Sequence, residues 1–161
     1  MAKRQVFYSF HFDNDVMRVQ QVRNMGVIEG NVPVSANDWE TVKRRGDSAI
    51  KTWIDEAMNY RSTVIVLVGS QTAKRPWVRH EIEKAWNEQK AVLGIYVHNL
   101  KCPRQGYDSK GTNPFESINL KNGKKLSEIV LCHNPDPKDA YSDIKNNLEL
   151  WIEYAHSHKR Q

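Results

Sequence analysis

No apolar run in the sequence approaches the roughly 18 residues that a membrane-crossing helix needs, so no membrane span is expected. Cysteine is scarce. The two present, Cys102 and Cys132, have no metal-ligand spacing, which argues against a disulfide framework or a metal site and for reduced thiols. Met1 to Gln5 leads straight into an apolar strand, so no leader peptide is expected and a cytoplasmic setting follows. Lys and Arg outnumber Asp and Glu by 24 to 19, yet the excess is dispersed or gathered in short runs such as Lys43–Arg45. Without an aromatic-interleaved basic stripe or a helix-turn-helix pattern, a nucleic-acid partner is not expected. A basic surface equally favours an anionic small molecule such as a dinucleotide. No repeat or linker divides the 161 residues, a length that fits a single domain spanning 1–161.

What is present centres on Thr63–Val68, β-branched and apolar throughout with no alternation, which predicts a strand covered on both faces. Gly69 ends it, and Ser70, Gln71 and Thr72 supply small polar groups where the chain leaves the sheet. Pro76 suits the first position of a helix, because its missing N–H would be unbonded there. Ile82, Ala85, Trp86 and Gln89 follow at helical spacing as the packed face. Glu81 lies beside that face and must end in a cleft or an ion pair, with Arg79, His80 and Lys84 close by.

Around this unit, Val6–Phe10 reads as a first strand, and Asp13 as the cap of a helix through about Asn24 with Val16, Val19 and Val22 inward. Gly26–Ile28 reads as a short strand and Glu29–Trp39 as a long loop. A helix is predicted over about Asp47–Asn59, with Ile50, Trp53, Ile54, Ala57 and Met58 on one stripe. Ala91–Val97 is another buried strand. An irregular insertion follows at about 99–122, then an edge strand over Leu126–Cys132 and a final helix over about 140–157, with Ile144, Leu148, Trp151, Ile152 and Ala155 buried. Alternating strands and helices argue for an α/β fold with a doubly wound, flavodoxin-like parallel sheet. In such sheets ligands bind outside the carboxyl ends of the strands. Ser9–Asp13, Gly69–Trp77 and the region after Val97 converge on that edge.

Ser70, Trp77 and then Glu81-Ile82 resemble the signature of Toll/interleukin-1 receptor (TIR) domains, and Val6–Asp15 resembles the first strand and loop of that family. Gly69–Thr72 with Trp77–Ile82 is similar to the ThsB sensor proteins of the bacterial Thoeris anti-phage system. The resemblance covers roughly the first hundred residues and loosens beyond about Asn99. Two departures stand out. Gly30–Ser35 replaces the Arg-Asp-x-x-Pro-Gly loop of receptor-type members, and Val78 stands where a cysteine is common.

The resemblance implies a TIR fold and an enzyme that cleaves the nicotinamide–ribose bond of NAD, with Glu81 catalytic. NAD would be the substrate and no cofactor would be needed. An ADP-ribose-derived, cyclic product would be read by a separate ThsA-like effector, with self-association on activation. Substrate contacts are expected from Ser9, Phe10, His11, Ser70 and Trp77, and Trp39 is placed over the site. Each has a plainer role open to it: an ion pair for Glu81, core packing for Trp77 and Trp39, strand-end packing for Phe10 and His11, and a turn for Ser70. A non-catalytic interaction module and a nucleoside deoxyribosyltransferase-like enzyme are the other functions the pattern admits. A phosphoacceptor regulator shares the topology but needs an aspartate where the sequence has Leu67, Val68 and Gly69. The insertion would be a lid, a partner surface or a decoration.

Overall fold

The computed structural model describes residues 5–25, 29–30, 44–59, 61–102 and 106–159, with backbone alone for 12–14, 29 and 30. Strands β1 (Gln5–Ser9), β2 (Glu29–Gly30), β3 (Thr63–Val68), β4 (Ala91–Tyr96) and β5 (Cys132–His133) form one parallel sheet in the order β2-β1-β3-β4-β5. That is the flavodoxin-like order. As expected, β3 is central and every one of its residues is buried.

Period-two alternation sorts the sheet's side chains into two layers. Val6, Tyr8, Ile65 and Leu67 pack with Val19 and Val22 of α1 (Phe12–Asn24) and Ile144, Leu148 and Ile152 of α4 (Ala140–Ser157). Phe7, Val64, Val66 and Val68 pack on the other side with Ile50, Ile54 and Met58 of α2 (Asp47–Met58) and Val78, Ile82 and Ala85 of α3 (Pro76–Asn87). Each fully buried aliphatic side chain contributes roughly 1.5–3 kcal/mol, so both layers are needed to offset the ordering of the chain. Pro76 opens α3 as expected. Among the described residues no helix is long and apolar enough to cross a membrane.

Several local expectations are corrected. His11, not Asp13, is the N-cap residue of α1, which begins one residue before Asp13, and Val16 is only half-buried. The expected strand Gly26–Ile28 and Trp39 lie outside the described residues, while Glu29–Gly30, expected to open a loop, pairs with β1 as a strand. Gln89 is exposed and not on the packed face of α3. It adopts φ 64° past the helix end, where its N–H bonds Trp86 O at 3.1 Å and the Lys90 N–H bonds Ala85 O at 3.0 Å. This pair of bonds is a Schellman ending, in which glycine more often takes the left-handed position. Leu126–Cys132 is not a strand. Leu126–Glu128 forms a 3₁₀ turn that buries Leu126, and pairing begins only at Cys132, opposite Gly94.

The 99–122 segment carries few apolar residues, but they are used. Pro114–Ser117 forms a 3₁₀ turn whose start is capped by the Asn113 side chain, accepting from Phe115 N at 2.9 Å. Phe115 is fully buried in the α2/α3 layer with Ile118 beside it. Gly111 lies so close to the end of β3 that a Cβ there would sit 2.1 Å from Gly69 O. A second tie is a buried ion pair that the sequence reading missed. Arg18 and Asp15, both fully buried, meet at 3.2 Å, and Arg18 also donates to Leu100 O and Gly106 O, each at 3.0 Å. The described part of the segment is thus continuous with the core, and the decoration reading does not fit it. Phe115→Ala is expected to lose about 3–5 kcal/mol in urea unfolding, as for a large core truncation. A loss below about 1 kcal/mol would show that the segment is peripheral.

Candidate functional site

At the end of β1, alternation turns Ser9 to the same side as Phe7, toward α3. Its register partner is Val66 of β3, so the hydroxyl is fully buried among apolar neighbours. Glu81 is set on the inner face of α3 by the helical period, three residues after Val78 and four before Ala85, both buried. The two side chains meet: Ser9 Oγ donates to Glu81 Oε1 at 2.6 Å. Glu81 retains only 7% exposure, and among the described residues it forms no ion pair, so the ion-pair alternative is not met there.

The cations flanking Glu81 in sequence are committed elsewhere. Arg79 pairs with Glu83 at 2.8 Å, and His80 Nε2 lies 3.3 Å from Asp55 on α2. Lys84 bonds Glu88 and lies 3.9 Å from Asp55. With no charge among the described residues compensating it, burial pushes the Glu81 carboxyl up to about 8, against the opposing pull of the Ser9 bond. At neutral pH the group therefore holds its proton most of the time. A cation placed beside it would draw that proton off.

The other expected contacts are distributed around this pair. Trp77 stands one helical turn before Glu81, half-buried on the α2/α3 layer, with the edge of its ring 5.7 Å (centroid to centroid) from His80. Phe10 packs on the opposite layer, with α1 and α4. His11 is half-buried at the start of α1, where its carbonyl accepts from Asp15 N at 3.0 Å. Ser70 donates to Asp108 Oδ2 at 2.7 Å, while the turn beneath it is held by Gly69 N donating to Thr72 Oγ1 at 2.8 Å. Ser9 and Glu81 are thus joined directly, whereas Ser70 is tied to the insertion.

Sequence reasoning missed the residues that follow β4. His98 is buried, and Asp108 N donates to its carbonyl at 3.0 Å. Lys110 covers the Tyr96 ring at 4.7 Å. Burial first, then Lys110, pushes the His98 imidazole down, partly offset by Asp108, so it is uncharged near neutrality. The only sequence signal was position, just past a strand's carboxyl end. Among the described residues no group of three or more His, Cys, Asp or Glu is placed to hold a metal ion.

The raised carboxyl has a consequence for stability. Between pH 4.5, its ordinary value, and about 8 the folded chain holds a proton at Glu81 that the unfolded chain has released. Stability contributed here is fully present below 4.5, falls as pH climbs through that window, and is lost above about 8. Glu81→Gln, which cannot ionise, is expected to stabilise the fold on the order of 3 kcal/mol at pH 8.5 and little at pH 5. Urea unfolding at the two pH values checks this. An equal effect at both would contradict a buried ionisable group.

Residues 7–102 match the family model described as the Thoeris protein ThsB, TIR-like domain. The matched region includes Ser9, Phe10, His11, Ser70, Trp77 and Glu81 and ends before the 3₁₀ turns and α4. A protein of Bacillus cereus (strain MSX-D12) named "Putative cyclic ADP-D-ribose synthase ThsB1" is 38% identical over 134 residues, covering 78% of this chain and 69% of that protein. A parallel sheet of flavodoxin-like order, a family match over more than half the chain and this relative lead to one conclusion: the chain belongs to the ThsB family of TIR-like proteins.

Proposed function

We propose that this chain is an NAD-consuming TIR enzyme. It breaks the bond between nicotinamide and ribose and makes a cyclic ADP-ribose-type signal nucleotide in bacterial anti-phage defence. The observation that carries this reading is the buried Glu81 carboxyl, bonded on one oxygen by Ser9 at the carboxyl edge of the sheet. The printed name of the ThsB1 relative supports the reaction class. The nicotinamide ring of NAD is cationic, so the substrate itself supplies the charge that favours the ionised carboxylate. The C–N bond breaks with its electron pair leaving on neutral nicotinamide, and positive charge moves to the ribose. A carboxylate in a water-poor site stabilises that oxocarbenium-like state. A nucleophile from the same molecule, reaching it before water, closes the ring with loss of a proton.

NAD is substrate and no further cofactor takes part. In this proposal Trp77, Phe10, His11 and Ser70 surround the dinucleotide, a separate ThsA-like effector reads the product, and protomers self-associate on activation. A cytoplasmic setting suits two unpaired thiols, Cys102 and Cys132.

Incubation of the purified chain with NAD, dilute and concentrated, followed by chromatography separates nicotinamide, linear and cyclic products. Glu81→Gln is expected to lose on the order of 10²–10³ in kcat, the usual loss for one electrostatic group acting in a transition state. Glu83→Gln and Glu88→Gln, whose carboxylates are engaged in surface pairs with Arg79 and Lys84, should stay close to wild type. Turnover by Glu81→Gln within a few-fold of wild type would remove this residue from the chemistry. A wild type that makes nothing from NAD at any concentration would favour an interaction module.

A further inference from the structure

Ser9 stands among the expected substrate contacts, but its surroundings point to a different task. Its single hydroxyl proton is directed at Glu81 Oε1 at 2.6 Å. Ser9 has no exposed surface, whereas Glu81 retains 7%, so a molecule approaching from solvent meets the carboxyl and not the hydroxyl. Among the described residues the second carboxyl oxygen of Glu81 accepts no hydrogen bond, which leaves it to face a ligand. We infer that Ser9 is a positioning residue: it orients the Glu81 carboxyl and favours its charged form, and does not itself bind substrate. The inference rests on the NAD-cleaving reading for its consequence in catalysis, but the bond it concerns is independent of that reading.

Among the described residues no other group is seen to bond Glu81. On α3, Arg79 is held by Glu83, and His80 and Lys84 face Asp55 of α2. On α1, Arg18 is held by Asp15 and two backbone carbonyls. From β3, Val66 and Val68 present only apolar atoms. Burial and the Ser9 hydroxyl are the two influences on the Glu81 proton, and they oppose each other. Without the hydroxyl only burial remains. The carboxyl would stay neutral over more of the pH range, and a neutral acid does not stabilise a cationic sugar.

The test is a pH titration of the full chain labelled with ¹³C at the glutamate carboxyl, the Glu81 resonance being the one that Glu81→Gln removes. Wild type is expected to titrate near 8. Ser9→Ala should titrate roughly one to two pH units higher, the size of a hydrogen bond to a charged group, and Ser9→Thr, which keeps the donor, should titrate with wild type. In NAD cleavage the acid limb of kcat/KM should move with the resonance. The Ser9→Ala value at pH 7 should be down roughly ten- to a hundredfold and should recover at alkaline pH with little change in KM. Should Ser9→Ala fail to fold, Ser9→Cys, a weaker donor, carries the same expected upward shift. An unmoved Glu81 resonance in the donor-less variant overturns the inference whether or not NAD is cleaved. A raised KM at every pH with the titration unmoved overturns it in favour of a substrate contact. A shifted resonance in a protein that never cleaves NAD upholds the Ser9 role and overturns the enzymatic reading instead.

Discussion

Taking a carboxyl group out of water, with no cation among the described residues to meet it, is costly, and the site is arranged around that placement. α3 docks on the sheet through Val78, Ile82 and Ala85. The same helical period that buries those three carries Glu81 inward with them. The helix cannot pack in this register and leave that carboxyl in solvent. Among the described residues a single hydroxyl from β1 is the compensation, and it offsets burial only in part. Sites of this kind hold less stability than an apolar replacement would give, the usual trade where activity requires a poised charge.

The meeting of Ser9 and Glu81 depends in turn on sheet register. With Ser9 opposite Val66, the face of β1 that carries Phe7 and Ser9 looks at α3, while Val6 and Tyr8 look at α1 and α4. A slip of one residue would exchange the faces, sending Tyr8 toward the carboxyl and the serine into the opposite layer. Apolar burial on both sides of β3 opposes such a slip. So does the close seat of Asp15 against Gly69, where a Cβ would lie 2.2 Å from the carboxylate, because it ties α1 to the turn after β3. The Asp15–Arg18 pair extends that tie to the chain beyond β4.

How much of this was legible in the sequence divides along physical lines. β3 and β4 were readable as unbroken apolar runs buried on both faces, and α2, α3 and α4 because each buries a long face at helical spacing. β2 and β5 are two residues each, too short to carry a pattern: Glu29–Gly30 reads as loop, and the last strand is placed too early. Gln89 was misread because a helix ending without glycine gives no signal, and Asp13 because an acidic residue suits a helix's first turn as well as its cap. Helical spacing set Glu81 beside the packed face, but only the resemblance gave it a catalytic role. Its partner is 72 residues away and that of Ser70 is 38 away, separations over which no local spacing rule reaches.

The division also falls along the chain. The family match stops at residue 102 and includes the strand, the hydroxyl and the carboxyl. What lies immediately beyond reaches back to the same sheet edge: Asp108 receives the Ser70 hydroxyl, Gly111 rests on the Gly69 carbonyl, and Gly106 O accepts from the buried Arg18. The first two of these contacts engage backbone and short side chains at the very end of β3, where a Cβ on Gly111 would lie 2.1 Å from Gly69 O. A change at Gly111 would therefore be felt at Gly69 and Ser70 before it reached the helix that carries Glu81. The part of the chain that holds the buried Glu81 carboxyl and the part that closes the neighbouring edge are thus separate in sequence and meet at the turn of residues 69–72 and at Arg18.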